Sequence, residues 1–438
     1  MRKPPQPARS VRLDSLAEID PESLLESTSQ RYKFKYVDIS CASNGKLTLP
    51  TDFIEFADAP SRARKILRDG DLIVSTVRPN LKAFAYCRLT DGPYIASTGF
   101  AVLRARENVD AHFLLSALLS DDLSKQIESH AVGSNYPAIN SSDIRRLRVP
   151  AFDSKTQRAI GIVLATIDTA IEQTEALIGK YQHVKAGLMH DLFTRGVLPT
   201  GQLRPPREQA PELYQETAIG WIPREWEVVR MIKLAEDRKG STTIGPFGSD
   251  LVATDYQQEG VPIVFVRDVK ESGFEWNSDT YVSLRKARQL AAHKVAAGDV
   301  LASKMGLPPC ISCLYPDWMP DGVITADMIR LSPDKKAVNG QWLTAAINQD
   351  RVKRQIAAIT AGVTRPKVTL ADFRNIRVAK PALTEQNRIS DKLKVAQSML
   401  DTEMVRVSKL QTQKLGLMQD LLTGKVPVTV DAQHKEHA

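Results

Sequence analysis

The chain has 438 residues, 42% hydrophobic and 25% charged, which suits ordinary cores in two or three domains and excludes a disordered chain or a fibre. Lys and Arg number 59 against 51 Asp and Glu, a net +8; this mild basic excess leans toward a polyanionic partner without requiring one. No stretch approaches the ~18–20 apolar residues of a membrane span. Met1-Arg2-Lys3-Pro4-Pro5 leads into no apolar run of a secretory leader. Four cysteines make no disulfide framework, so the expected compartment is a reducing cytoplasm.

Taken in chain order, the elements are written twice. Gly187-Leu188-Met189-His190-Asp191-Leu192 returns 229 positions later as Gly416-Leu417-Met418-Gln419-Asp420-Leu421. The same offset pairs Asp143-Ile144-Arg145 with Asp372-Phe373-Arg374, Gln157 with Gln386 and Pro137 with Pro366. Gly70-Asp71-Leu72-Ile73-Val74-Ser75 returns as Gly298-Asp299-Val300-Leu301-Ala302-Ser303. Each copy opens with a mixed region. Short runs rich in Val, Ile and Phe predict strands at 33–39, 72–77 and 100–103, and at 262–266, 300–302 and 328–331. One amphipathic helix is expected at 110–127 and another at 339–357. A last strand at 146–149, or 375–378, closes each region.

A long helix follows each mixed region, over about 155–194 and 384–423. The first carries apolar residues at Ile160, Leu164, Ile167, Ile171, Ile178, Tyr181, Leu188 and Leu192. The second carries Ile389, Leu393, Ala396, Leu400, Val407, Leu410, Leu417 and Leu421. Steps of three and four, interrupted at Thr174 and Lys185 and at Glu403 and Lys414, form a coiled-coil seam. Two ordinary core helices are the plainer alternative. At 1.5 Å per residue, however, each is roughly 55 Å long, and the only partner of matching length and stripe is the other copy. The expected layout is therefore α+β: two similar mixed α/β domains in tandem, at 1–150 and 217–380, with antiparallel coiled-coil helices at 151–197 and 381–425. The Pro-rich stretch 198–216 reads as a linker and 426–438 as a loose tail.

Catalytic signatures do not appear. There is no phosphate loop, no dinucleotide fingerprint and no G-x-S-x-G elbow. Leu307-Pro308-Pro309-Cys310 lacks the Asn and the aromatic of an amino-methyltransferase tetrad. Cys310 and Cys313 offer two ligands where tetrahedral zinc wants four, and are expected to be reduced structural thiols. No catalytic or metal-ligating residue is therefore assigned, and a duplicated binding protein is favoured.

The chain resembles the specificity subunit of type I restriction-modification enzymes, over nearly all of its length. The resemblance rests on Ile219-Gly220-Trp221-Ile222-Pro223-Arg224-Glu225-Trp226, Gly245-Pro246-Phe247-Gly248-Ser249, Gly298-Asp299-Val300-Leu301-Ala302-Ser303, Gly362-Val363-Thr364-Arg365-Pro366, Pro381-Ala382-Leu383-Thr384-Glu385-Gln386 and Leu417-Met418-Gln419-Asp420-Leu421-Leu422. The first half departs from the pattern with Lys155-Thr156-Gln157 and no Gly-Pro-Phe-Gly-Ser. The resemblance implies two target-recognition domains, each reading one part of a split, asymmetric double-stranded DNA target. It also implies assembly with two methyltransferase subunits and with restriction-translocase subunits, which would bind S-adenosylmethionine, ATP and magnesium; this chain would bind no cofactor. A pseudo-twofold pair of domains suits a duplex, whose backbone has a local twofold of its own.

Base reading calls for Arg or Lys on guanine and Asn or Gln on adenine, with small polar groups on phosphate. In the first half the candidates are Ser75, Thr76, Arg78, Asn80 and Lys82 after a strand, with Ser134, Asn135 and Tyr136 in a Gly-containing loop. In the second they are Lys304, then Thr364, Arg365 and Lys367, with Ser249 and Lys239. Against this, Ser75 and Ser303 fit turn starts, and the lysines fit solvated surface. Arg62, Arg64, Lys65 and Arg68 fit either a phosphate contact or a solvated helix face. Phe193, off the seam, is a candidate for meeting a methyltransferase subunit. A duplicated protein-interaction scaffold with no nucleic-acid role is the alternative of a different class.

Overall fold

The computed structural model describes residues 9–133, 137–360 and 366–428. They form two compact units, the first comprising those up to residue 177 together with those from residue 403 onward, the second those between 178 and 402.

In the first unit an antiparallel sheet runs in the order Ala17–Ile19, Phe100–Ala105, Leu72–Ser75, Phe84–Tyr86. A second sheet runs Ile54–Glu55, Lys33–Val37, Tyr94–Ser97, Ala63–Leu67, and its two central strands are parallel. The period of two decides where the core lies. Leu72, Val74, Ala101 and Leu103 pack with Phe113, Leu114, Ala117 and Leu118 of the helices. The alternate residues Ile73, Phe100 and Val102 pack with Val37, Tyr94 and Ala96. Strand Leu72–Ser75 is thus buried on both faces, which is why it reads as an unbroken apolar run.

The second unit repeats this plan. Its first sheet runs Thr242–Ile244, Met328–Leu331, Val300–Ser303, Ser312–Leu314. Its second sheet has five strands, with Val261–Val264 and Gly322–Ile324 again parallel. Val300 and Ala302 face one cluster and Leu301 the other.

The single helix expected in each half is two. Ala111–Leu119 ends at Ser120, whose extended backbone and side chain, accepting from the Leu123 N–H, start Asp121–His130. Ser-Asp-Asp is a helix-start signal set inside an apolar run. The second unit has Gly340–Ile347 and then Asp350–Thr360. The closing strands are Arg148–Pro150, paired with Ser10–Arg12, and Arg377–Lys380, paired with Glu227–Arg230.

Two polar clamps recur in both units, and they account for two glutamines found in both copies. Gln126 Nε2 donates to the Arg148 carbonyl at 2.9 Å while its Oε1 accepts from the Arg148 N–H at 2.8 Å. Gln355 treats Arg377 in the same way, at 2.9 Å each. Buried Gln157 and Gln386 lock each long helix to the preceding domain. Gln386 accepts from the Asn339 N–H at 2.9 Å and donates to the Pro381 carbonyl at 2.8 Å; Gln157 does this with Asp110 at 3.3 Å and Phe152 at 2.8 Å.

The long helices are Ser154–Thr194 and Leu383–Leu422, of 41 and 40 residues, each roughly 60 Å in length. In the first unit Ile160 and Leu164 share a cluster with Met418, Leu421 and Leu422. In the second, Leu188 and Leu192 share one with Ile389 and Leu393. The start of one helix meets the end of the other in both units, so the pairing is antiparallel. Ile167, Ile171, Ile178 and Tyr181, like Ala396, Leu400, Val407, Leu410 and Leu417, are buried or half-buried. The polar interruptions are accommodated locally. Thr174 donates to its own helix at Ala170, and Lys414 pairs with Asp168 at 2.6 Å. Lys185 donates to Gln397.

The stretch read as a linker is a packed part of the second unit. Tyr214–Gln215 pairs with Ile222–Pro223, and buried Arg204 bonds Glu385 of the second long helix and Glu225. Prolines there set turns within a folded segment instead of a loose tether. Of the expected tail, 429–438 lies outside the described residues.

Candidate nucleic-acid interface

In both units the loop after the central strand is stitched to a second loop. In the first, the Arg78 N–H donates to the Pro137 carbonyl at 2.7 Å, and Val77 bridges Ala138. In the second, the Val368 N–H donates to the Lys304 carbonyl at 2.9 Å, and Met305 bridges Lys367. Each unit therefore brings two loops of its own to one end of its first sheet. Ser134, Asn135, Tyr136, Thr364 and Arg365 lie outside the described residues, next to these stitches in sequence.

The remaining candidates divide by what they touch. Ser75 is fully buried and donates to the Val77 carbonyl at 2.6 Å; it turns the chain, as Ser303 does by accepting from the Ile311 N–H at 3.1 Å. Thr76 is half-buried and donates to the Gly99 carbonyl at 2.8 Å. Lys82 is held by the Leu119 carbonyl at 2.9 Å, at a helix end. Arg78 and Asn80 are exposed. Arg78 and Lys82 both take left-handed backbone, at φ 48° and 50°, flanking the one-turn helix Pro79–Leu81. Such conformations are strained for side-chain-bearing residues and concentrate where a loop is held for function.

In the second unit Lys304 is half-buried with its Nζ 3.5 Å from the Ala326 carbonyl, and Lys367 is exposed beside it in the stitched loop. Ser249 is exposed and follows strand Thr242–Ile244 at the end facing Met328. Since Ser303 pairs with Met328, that is the end where Lys304 emerges. Gly245 makes this possible, because a Cβ there would lie 1.9 Å from the Thr325 carbonyl oxygen. Lys239 is exposed but precedes the same strand, whose first residue Thr242 pairs with Leu331. It therefore sits at the opposite end of the sheet and does not join Lys304, Lys367 and Ser249.

Other expectations are corrected. Arg64 and Lys65 lie on strand Ala63–Leu67, with Arg62 and Arg68 just outside it, not on a helix face. Lys65 pairs with Asp20 at 2.6 Å and Arg68 with Glu22 at 2.8 Å, while Arg64 stacks on Phe56. Of the cluster, Lys65 and Arg68 are thus already neutralised. Phe193 is buried among Val197, Trp226 and Trp342. It belongs to the core of its unit and is not displayed to a partner. Burial pushes the Cys310 and Cys313 thiols up to about 12, and among the described residues no cluster of His, Cys, Asp and Glu could hold a metal ion.

Sequence reasoning passed over three exposed apolar side chains at the same loop ends: Leu81, Leu307 and Phe247, 64%, 86% and 66% exposed. A signal existed. Leu307 stands between Gly306 and Pro308, and Leu81 follows Pro79-Asn80, so neither can sit inside a strand or a long helix.

Each unit therefore has the same α+β plan with a stitched loop corner, and each packs the start of one long helix against the end of the other. Residues 5–179 match the family model described as the type I restriction modification DNA specificity domain. The type I restriction enzyme MjaVIII specificity subunit of Methanocaldococcus jannaschii is 20% identical over 309 residues, 69% of this chain and 67% of that protein. The putative MjaX specificity subunit of the same organism is 22% identical over 75% of this chain and 71% of its own. The fold is shared with the crystal structure of a type I restriction-modification S subunit from M. genitalium, at TM-score 0.56 and 16% identity over 96% of this chain and 97% of that one. It is shared equally with a chain from an assembled type I R-M system, at TM-score 0.55 and 22% identity over 97% and 100%. The chain is thus similar to type I restriction enzyme specificity subunits over about three quarters of its length, and it shares the fold of the solved ones. Among the described residues no helix is long and apolar enough to cross a membrane.

Proposed function

We propose that this chain reads a bipartite, asymmetric DNA sequence, one segment with each unit, as the non-catalytic subunit of a cytoplasmic type I restriction-modification complex. The observation that carries this is the paired loop corner. Equivalent strands end in equivalent stitched loops, yet the residues there differ: Arg78, Asn80 and Leu81 in one, Lys304, Leu307 and Lys367 in the other. Equivalent backbones with unlike side chains support two half-sites of different sequence. The antiparallel helices act as a spacer, so base pairs between the half-sites are spanned and not read. Two methyltransferase subunits and the restriction-translocase subunits dock on the chain and bring S-adenosylmethionine, ATP and magnesium, while this chain binds none of them.

Binding of the purified chain, alone and with its methyltransferase subunits, to duplex DNA across a salt series tests the reading. Log affinity should fall with log salt at about −0.9 per phosphate neutralised, with several phosphates engaged. A flat dependence would leave a protein-interaction scaffold without a nucleic-acid role.

A further inference from the structure

The second unit contains a cleft of about 700 Å³ that has no part in the loop corner. It lies between the end of the first long helix, the folded segment 206–221 and helix Asp350–Thr360. Its volume is that of a ligand site, and its charge is unbalanced. Arg195 is paired with Asp191 at 3.3 Å and Arg207 with Glu208 at 3.5 Å. Arg351 and Arg354, one turn apart on the same helix, have no acidic partner among the described residues. Arg351 donates only to the Trp221 carbonyl at 2.7 Å, and Arg354 only to the Asp350 carbonyl at 3.4 Å. A partly buried guanidinium beside a second one, with no counter-ion, is costly unless an anion arrives. Burial and the charge of Arg354 accordingly push Arg351 down from its ordinary value. The wall opposite is apolar and aromatic: Ile219, and a Trp221 ring that is 39% exposed with Arg207 stacked 4.9 Å from its centre.

We propose that this cleft binds an extended acidic segment of a partner protein, its carboxylates on Arg351 and Arg354 and its apolar side chains against Trp221 and Ile219. Shape favours a peptide over DNA, since a duplex is convex and cannot enter a cleft of this size. The internal repeat also favours it. The Gln355 clamp fixes the register of its helix against that of Gln126, and the positions matching Arg351 and Arg354 are Asp122 and Lys125. The cationic pair is therefore absent from the first unit, and the cleft stands apart from the stitched loop corner that the two units share. One unit alone carries this acidic-segment site, so a partner using it meets the chain in a single orientation.

The probe is a short capped peptide alternating glutamate and leucine, fluorescein-labelled and titrated by anisotropy into the full chain without DNA. Saturable binding is expected, weakened about tenfold or more by R351Q/R354Q. Arg354 is exposed and makes only a backbone contact, so R354Q alone keeps the test valid if the double variant folds poorly; it should weaken binding several-fold. Absence of saturable binding, equal binding by R354Q, or displacement of the peptide by short duplex DNA would each overturn the assignment. Salt-dependent DNA binding by the same preparation reports on target reading independently, so the two can fail separately.

Discussion

Removing Glu385 should destabilise the second unit more than any surface change. Its carboxylate is buried and accepts from the Val197 N–H at 2.8 Å, from Arg204 Nη1 and Nη2 at 2.5 and 3.1 Å, and from Trp226 Nε1 at 3.2 Å. Arg204 is itself 3% exposed. In Glu385→Ala its guanidinium keeps Glu225, a side chain 74% exposed to solvent, as its one acidic partner, together with the Arg195 carbonyl at 3.1 Å. Breaking a buried pair costs about 3–5 kcal/mol, and each orphaned donor about 1–3 kcal/mol, but these overlap and do not add. With Glu225 retained, the expected loss is about 3–4 kcal/mol. The double variant Arg204→Met, Glu385→Leu leaves no charge buried, so it should regain at least ~2 kcal/mol over the single one. Amide hydrogen exchange in a urea series measures residues 178–402 apart from the rest. A loss below ~1 kcal/mol, or a double variant no better than Glu385→Ala, would refute the proposed electrostatic latch.

Hydrogen bonds from Arg104 and then Arg68 hold the Glu22 carboxyl below the usual carboxylate range. Because its folded pKa is depressed, its stabilisation is fully present above the unfolded value of about 4.3 and is lost as pH falls through the lower folded value. Glu22→Gln should therefore flatten the acid limb of first-unit stability, as measured by denaturation at a series of pH values; an unchanged limb would contradict this. Deleting one heptad from both long helices should shorten the gap in the recognised sequence and leave both end sequences intact, read from the methylation motif of the reconstituted complex. Arg365→Ala should relax recognition of the second half-site alone, by about 1–3 kcal/mol for a bidentate base contact, whereas equal loss on all DNA would make it a phosphate contact.

The duplication, the long helices and the central strands were legible because each leaves a periodic or repeated mark. Leu72, Val74 and Ile73 alternate between two cores, and the seam of Ile160 to Leu192 keeps its three-four rhythm over ten positions. What escaped depended on partners distant in sequence. Arg204 reads as one more charge in a Pro-rich linker until Glu385, 181 residues away, is placed beside it. That contact also explains why the second half has Glu385 where the first has Thr156, whose N–H simply caps onto Asp153. Phe193 looked displayed because a helical wheel shows one seam, while a second apolar face is used by Trp226 and Trp342. Ser75 had the right residue type for DNA, and only geometry reveals that its hydroxyl is already occupied.

Genome-wide mapping of methylated adenines, after co-expressing this chain with its cognate methyltransferase subunit, tests the central claim most directly. Two unlike short sequences separated by a fixed run of unspecified bases are predicted. A single contiguous motif, or a palindromic pair of identical half-sites, would contradict it.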